Sequence, residues 1–286
     1  MSRQFKRAYE LKLINTDGRV IISKDLRVNF EITKDLFGYP NLARISVYNF
    51  SLERVNEISE EFTNVEFKAG YADSIVTIFK GDIRNIVNRR DGVDTITEFY
   101  AGDGERVTRE SYFSRTYSGG TPLKQVVNDL ASNFNIPKAQ LDGLDSVRKS
   151  LKGLSFSGPT KEILNKLSDD YGFYWSIQDG QFVTQDRDKA DLENEVTVVT
   201  RSTGMIGSPS VTEIGADVRI LLNPDIQPYR AFKIETPNFE VNVGNLFFRK
   251  QIPTLGEGLF RVNKVVHSGD TRGTDWFSSI TGRRLS

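Results

Sequence analysis

Apolar and polar residues alternate with a period of two through both ends of this chain, and the middle follows a period near four. In residues 1–105, Tyr9, Leu11 and Leu13 alternate with Glu10 and Lys12, and Val28, Phe30 and Ile32 with Asn29 and Glu31. Ala43, Ile45 and Val47, then Val65, Phe67 and Ala69, repeat the pattern. A period of two predicts strands with one buried face. Arg90-Asp91-Gly92 lies between two strand-like runs, and Asp-Gly there predicts a type I′ hairpin turn, whose two central residues need positive φ. One helix interrupts these strands: Ser51 can cap it, and Leu52, Val55, Ile58 and Phe62 then share one side.

Residues 106–190 change character. Thr121-Pro122 predicts a helix start, with Thr as cap and Pro at the first helical position. Leu123, Val126, Val127, Leu130 and Phe134 form its apolar stripe, and Asn135-Ile136-Pro137 ends it. Pro159 opens a second helix with Ile163, Leu164, Leu167 and Tyr171 buried and Gly172 as its stop. Phe173, Trp175 and Ile177 then alternate, Asp179-Gly180 turns, and Phe182 and Thr184 return as a hairpin.

Residues 191–286 return to strand, with Val196, Val198 and Thr200, then Val218, Ile220 and Leu222, Phe232 and Ile234, Phe239 and Val241, and Phe260 and Val262. The charged stretch Gln185 to Asp191 reads as an exposed linker. The expected class is α+β, mainly β. It comprises an N-terminal β-barrel-like domain (1–105), a helix-plus-hairpin insert (106–190) and a C-terminal β-barrel-like domain (191–286).

Composition narrows the function classes. The 286 residues can bury a large core without staples, and the chain has no Cys, which excludes disulfides, thiolate metal sites and cysteine nucleophiles. Lys+Arg 38 balance Asp+Glu 38, unlike the basic excess of a nucleic-acid binder. The basic start Met1–Arg7 runs into alternating residues rather than an apolar run, so no signal peptide is expected, and no stretch predicts a membrane span.

Candidate chemistry is sparse. The single histidine, His267, reads as a strand-end residue entering a turn, hydrogen-bonded locally. One His lacks the partners of a metal site. Asp103 and Glu105 are two apart and could share a face if extended, whereas Asp169 and Asp170 would point apart on a helix. Ser118-Gly119-Gly120-Thr121-Pro122 precedes a helix but lacks the Lys-Ser/Thr ending of a phosphate loop, and Gly204-Met205-Ile206-Gly207 has no following helix. No catalytic, cofactor or metal site is expected.

Several stretches together resemble a known family. Asn41 to Ser51 is similar to a segment common in tail hub proteins, followed by a short helix and the strand pair Val65 to Tyr71 and Ile78 to Ile83. Thr203 to Pro209, Leu221 to Pro224, and Val265 to Gly273 with Trp276 match its C-terminal part. The chain resembles the baseplate hub of contractile phage tails and the hub portion of type VI secretion spikes. The resemblance implies a hollow homotrimer whose two barrel-like domains per chain give pseudo-sixfold symmetry. It also implies as partners a tail tube or tube-terminating protein, a central spike and other baseplate proteins. Genomic DNA would pass only in transit, with no stable membrane insertion, and the expected place is the virion tail baseplate, assembled in host cytoplasm. Two other readings remain. One is a cell-wall-cleaving tail enzyme using loop carboxylates. The other is a glycan- or receptor-binding tail module, which would need exposed aromatics such as Trp175 or Trp276.

Overall fold

A computed structural model describes residues 6–38, 40–72, 74–144, 153–190, 196–212, 214–236, 240–241 and 257–285. The N-terminal region contributes β1 (Arg7–Asn15), β2 (Val20–Ser23), β3 (Val28–Asp35) and β4 (Leu42–Tyr48) before the single helix α1 (Leu52–Glu61). It continues with β5 (Phe62–Tyr71), β6 (Ser74–Asp91) and β7 (Asp94–Gly102). The alternation in sequence becomes alternating burial: Leu11 and Leu13, Val28, Phe30 and Ile32, and Val65 and Phe67 all enter one core. The Ser51 hydroxyl accepts the Arg54 N–H at 3.3 Å and caps α1 as expected.

The β6–β7 turn differs from expectation by one residue. Asp91 pairs with Asp94, so the loop is Gly92-Val93, and of these two only Gly92 has positive φ. This is the pattern of a type II′ turn, with Gly first, and it leaves Val93 93% exposed at the tip.

The insert holds α2 (Glu105–Glu110), β8 (Tyr112–Tyr117), α3 (Leu123–Ser132), β9 (Lys138–Leu141) and β10 (Leu154–Pro159). It ends with α4 (Thr160–Tyr171), β11 (Phe173–Gln178) and β12 (Gln181–Asp186). Pro122 itself caps α3: its carbonyl accepts from the Gln125 and Val126 N–H groups, while the Thr121 hydroxyl turns back to the Ser118 carbonyl. Gly172, at φ +75, closes α4 as read from the sequence. The helix stripes and the β11–β12 hairpin share a core of their own, around Leu130, Leu164, Phe173 and Trp175.

The C-terminal region contributes β13 (Thr197–Val199), β14 (Met205–Val211), β15 (Gly215–Leu221), β16 (Ala231–Glu235), β17 (Glu240–Val241), β18 (Glu257–Asp270) and β19 (Trp276–Arg284). Phe239 lies outside the described residues. Val218, Ile220, Phe232, Ile234, Phe260 and Val262 form a third core.

The two terminal regions repeat one arrangement. Strands lie side by side in the order β3-β4-β7-β6-β5 in the first and β14-β15-β19-β18-β16 in the second, antiparallel throughout. They are joined edge to edge, because β18 pairs with β3 from Lys264↔Asp35 to Asp270↔Asn29. The terminal regions therefore belong to one continuous sheet. Among the described residues no pairing closes either region into a barrel.

Candidate functional site

The β18–β3 joint carries a buried polar network in which all three regions meet. Lys34 occupies an inward slot of β3, after Val28, Phe30 and Ile32, and is fully buried. A buried ammonium needs partners. Lys34 Nζ donates to Asp179 Oδ2 at 2.7 Å and to Gln227 Oε1 at 2.8 Å. Asp179 comes from the insert and Gln227 from the C-terminal region.

Asp179 and Gly180 form the β11–β12 turn, with φ of +53° and +78° as a type I′ turn requires. The tip is seated on Asp103, whose Oδ1 accepts the Gly180 N–H at 3.1 Å. The Asn41 amide donates to the Ile177 carbonyl at 3.0 Å and to Gln178 Oε1 at 2.9 Å, and Asn41 Oδ1 accepts the Asp35 N–H at 3.1 Å. Gln178 Nε2 donates to the Asp35 carbonyl at 2.8 Å and to Ser176 Oγ at 2.9 Å. The Ser176 and Tyr229 hydroxyls share a 2.6 Å hydrogen bond.

Burial dominates the electrostatics. Burial first, then the neighbouring Asp179 carboxylate, push the Asp103 carboxyl up to about 8, against the opposing pull of Lys34. Asp103 is therefore a neutral acid at pH 7, and the remaining charges are the Lys34–Asp179 pair. His267, on β18 beside Lys34, is pushed down to about 3 by burial and then by the Lys34 charge. Burial also raises the Tyr229 phenol. What the network does is tie the three regions together at one point.

The sequence candidates fare differently. His267 is not at a strand end: it is buried within β18, opposite Ser278 on β19, and its Nδ1 shares a 2.8 Å hydrogen bond with that hydroxyl. Asp103 and Glu105 do not share a face, because Gly104 takes a left-handed conformation and α2 begins at Glu105. Asp103 turns inward, while Glu105 pairs outward with Arg84. Asp169 pairs with Arg187 at 2.6 Å. Trp175 and Trp276 are both buried. Trp175 Nε1 donates to Asn165 Oδ1 at 3.0 Å, and the Trp276 ring meets Phe30 edge-on at 5.4 Å.

The charged stretch after the hairpin is not an exposed linker throughout. Gln185 is buried, and the carbonyls of Asp186, Arg187 and Lys189 accept from Nη1 of the buried Arg261 at 3.3, 2.5 and 2.9 Å. Asp191 lies outside the described residues. A cavity of about 400 Å³ nearby is lined by Phe37, Gly38, Asn165, Tyr174 and Trp175, with the Asp169–Arg187 pair at its wall.

Lys34, Gln227, Tyr229 and Arg261 were not marked by any motif, while Asn41 and Asp179 were marked only as the start of the hub-like segment and as a turn residue. One signal was present: Lys34 stands at an inward position of an alternating run, where a charge demands a partner. Among the described residues no cluster of three or more His, Cys, Asp or Glu side chains could hold a metal ion. Among the described residues no helix is long and apolar enough to cross a membrane.

Comparison with known proteins agrees with this architecture. A family model described as "Baseplate hub gp41" matches residues 10–237. No curated protein matches the sequence. Several solved structures share the fold. The 43 kDa tail protein of prophage MuSo2 from Shewanella oneidensis aligns at TM-score 0.62 and 11% identity, covering 96% of both chains. A tail protein from Neisseria meningitidis MC58 aligns at TM-score 0.62 and 10% identity, covering 98% of this chain and 97% of the other. The E. coli c3393 protein, a component of the type VI secretion system, aligns at TM-score 0.60 and 12% identity, covering 96% of this chain and 77% of its own.

Proposed function

This chain belongs to the baseplate hub gp41 family, and from that premise we propose that it forms a trimeric ring joining the sixfold tail tube to the threefold central spike. The observation that carries the proposal is the repeated strand arrangement. Each chain presents two like units, so three chains present six around one axis. A sixfold tube then meets equivalent surfaces, while the ring keeps the threefold symmetry that a spike requires. In this reading the units are barrel-like domains spanning 1–105 and 191–286, and residues 106–190 form the insert.

A ring must hold its units at a fixed angle, and the buried network supplies that constraint. Lys34, Asp179 and Gln227 tie the first unit, the insert and the second unit at one point. Partial satisfaction of such a network is unfavourable, so the three parts hold together or separate together. The partners in this reading are the tail tube or its terminating protein, the central spike and other baseplate proteins. DNA crosses the ring only in transit, and the ring assembles in the host cytoplasm. The hub acts structurally, and any cell-wall cleavage belongs to another protein. A glycan-binding role finds no support in the tryptophans, since both rings are buried.

Native mass spectrometry of the purified chain tests this reading, and a trimer is expected. A strict monomer at every concentration, together with absence from the tail axis in images of the particle, would sink it.

A further inference from the structure

The joint that the chain makes once internally is left open at an equivalent place. β18 is paired in two halves along one side: Glu257–Arg261 bonds to β16, and Lys264–Asp270 bonds to β3, while β19 follows the other side. A register shift falls between Val262 and Lys264. β6 has the same division. Ser74 to Asp82 bonds to β5, a register shift falls between Ile83 and Asn85, and β7 follows the other side to Asp91. The strands therefore align with Val262 on Ile83 and Ser268 on Arg89. Where β18 has β3, however, β6 has nothing: among the described residues no strand pairs with the outer edge of Ile83–Asp91.

An unpaired edge of this length exposes a row of backbone donors and acceptors that another strand can use. The repeat says which strand. β3 pairs with β4 through Ile32↔Ala43, and β14 pairs with β15 through Val211↔Ala216, with the two alanines facing Ala101 and Gly282 in matching positions. β14 is thus the counterpart of β3.

We propose that the far end of the open half of β6, Val87–Asp91, in one copy of this chain pairs antiparallel with β14 and Thr212 of the next copy, in the register that β18 adopts on β3. Because Ser268 faces Glu31 within the chain, Arg89 faces Ser210 of the next copy, and Val87 faces Thr212. The two-residue strand β17, which occupies β14 at Ser210 and Val211, yields these pairings to the incoming strand. The contact covers Val87 and lies beside Ile206 and Ile214, three of the exposed large apolar residues. It is head-to-tail, using a different surface on each side, and such contacts close rings when the rotation allows. The edge strand β2 also exposes apolar residues, Val20 and Ile22, but no internal joint supplies a partner for it.

The inference rests on the ring reading, and the experiment separates the two. The chain has no cysteine, so single substitutions report without background. Arg89→Cys and Ser210→Cys are made in separate chains, each at a side chain outside the cores. A disulfide requires Cα atoms within about 7 Å. On mixing and mild oxidation, disulfide-linked dimers are expected on non-reducing gels. Neither variant alone should give them. Nor should Arg89→Cys with Ile206→Cys, which lies four positions along the strand, roughly 13 Å away. The double variant Arg89→Cys/Ser210→Cys should give covalent species up to the ring size and no larger. An oligomer by native mass that gives no dimer in the Arg89→Cys and Ser210→Cys mixture overturns this interface and leaves the ring standing. A chain that is monomeric throughout overturns the ring, and this interface with it.

Discussion

At the scale of single residues, two buried titratable groups give opposite pH dependences. Asp103 keeps its proton in the folded state up to about 8, against 3.8 ordinarily. Its contribution to stability is full below the ordinary carboxylate range and is lost as pH rises towards 8. His267 resists protonation down to about 3, against 6.5 ordinarily. Its contribution is full above 6.5 and is lost as pH falls towards 3. Each slope reaches at most about 1.4 kcal/mol per pH unit, and between the two ordinary values they oppose each other. Urea denaturation across pH 5 to 9 should therefore show a decline on the alkaline side that Asp103→Asn flattens; an unchanged slope in that variant would count against a neutral Asp103. Lys34→Met leaves Asp179 and Gln227 without their buried partner and should cost about 3 kcal/mol. In a double-mutant cycle with Asp179→Asn, a coupling of about 1–3 kcal/mol is expected, and additivity would refute the tie between the regions.

At the scale of elements, most strands and both long insert helices were legible, because their apolar residues repeat at the period of the element. The turn at Asp179-Gly180 was legible too, since its residue types match its dihedral angles. The three short insert strands and α2 were not, having little or no periodicity of their own. Two glycines measure how tightly the insert docks. Gly104 has φ +66, and a Cβ there would lie 2.3 Å from Cδ1 of Ile177 on β11. Gly104→Ala should therefore lose more than about 2 kcal/mol, combining left-handed strain with overpacking. Gly180, at φ +78, has only ordinary contact with Lys80, so Gly180→Ala should cost about 1–2 kcal/mol from strain alone. Equal losses in thermal or urea melts would mean that Ile177 gives way.

At the scale of the whole molecule, the repeat of one strand arrangement in two regions sets the geometry. The amides of Val87–Asp91 that find no strand partner among the described residues should exchange quickly in the isolated chain and become protected in the assembled tail. Hydrogen exchange followed peptide by peptide would read this, and equal protection in both states would contradict pairing of that edge. The repeat could not be seen in the residues. Ile86 and Val265, or Phe99 and Ile280, correspond by register, yet a β core accepts many apolar residues at such a slot, so identity leaves no trace.

The chain's own residues determined its class, its strand periods, the two insert helices and the absence of cysteine chemistry. These depend on local alternation, caps and composition, which are written along the sequence. The resemblance in ordered segments pointed to the hub family for a related reason, since segment order survives where identity does not. Tertiary structure alone decided that β18 meets β3, that Lys34 finds Asp179 across 145 positions, and that His267 is buried rather than at a strand end. Long-range pairing depends on which edges and charges remain unsatisfied after local structure has formed, and that balance is struck only in three dimensions.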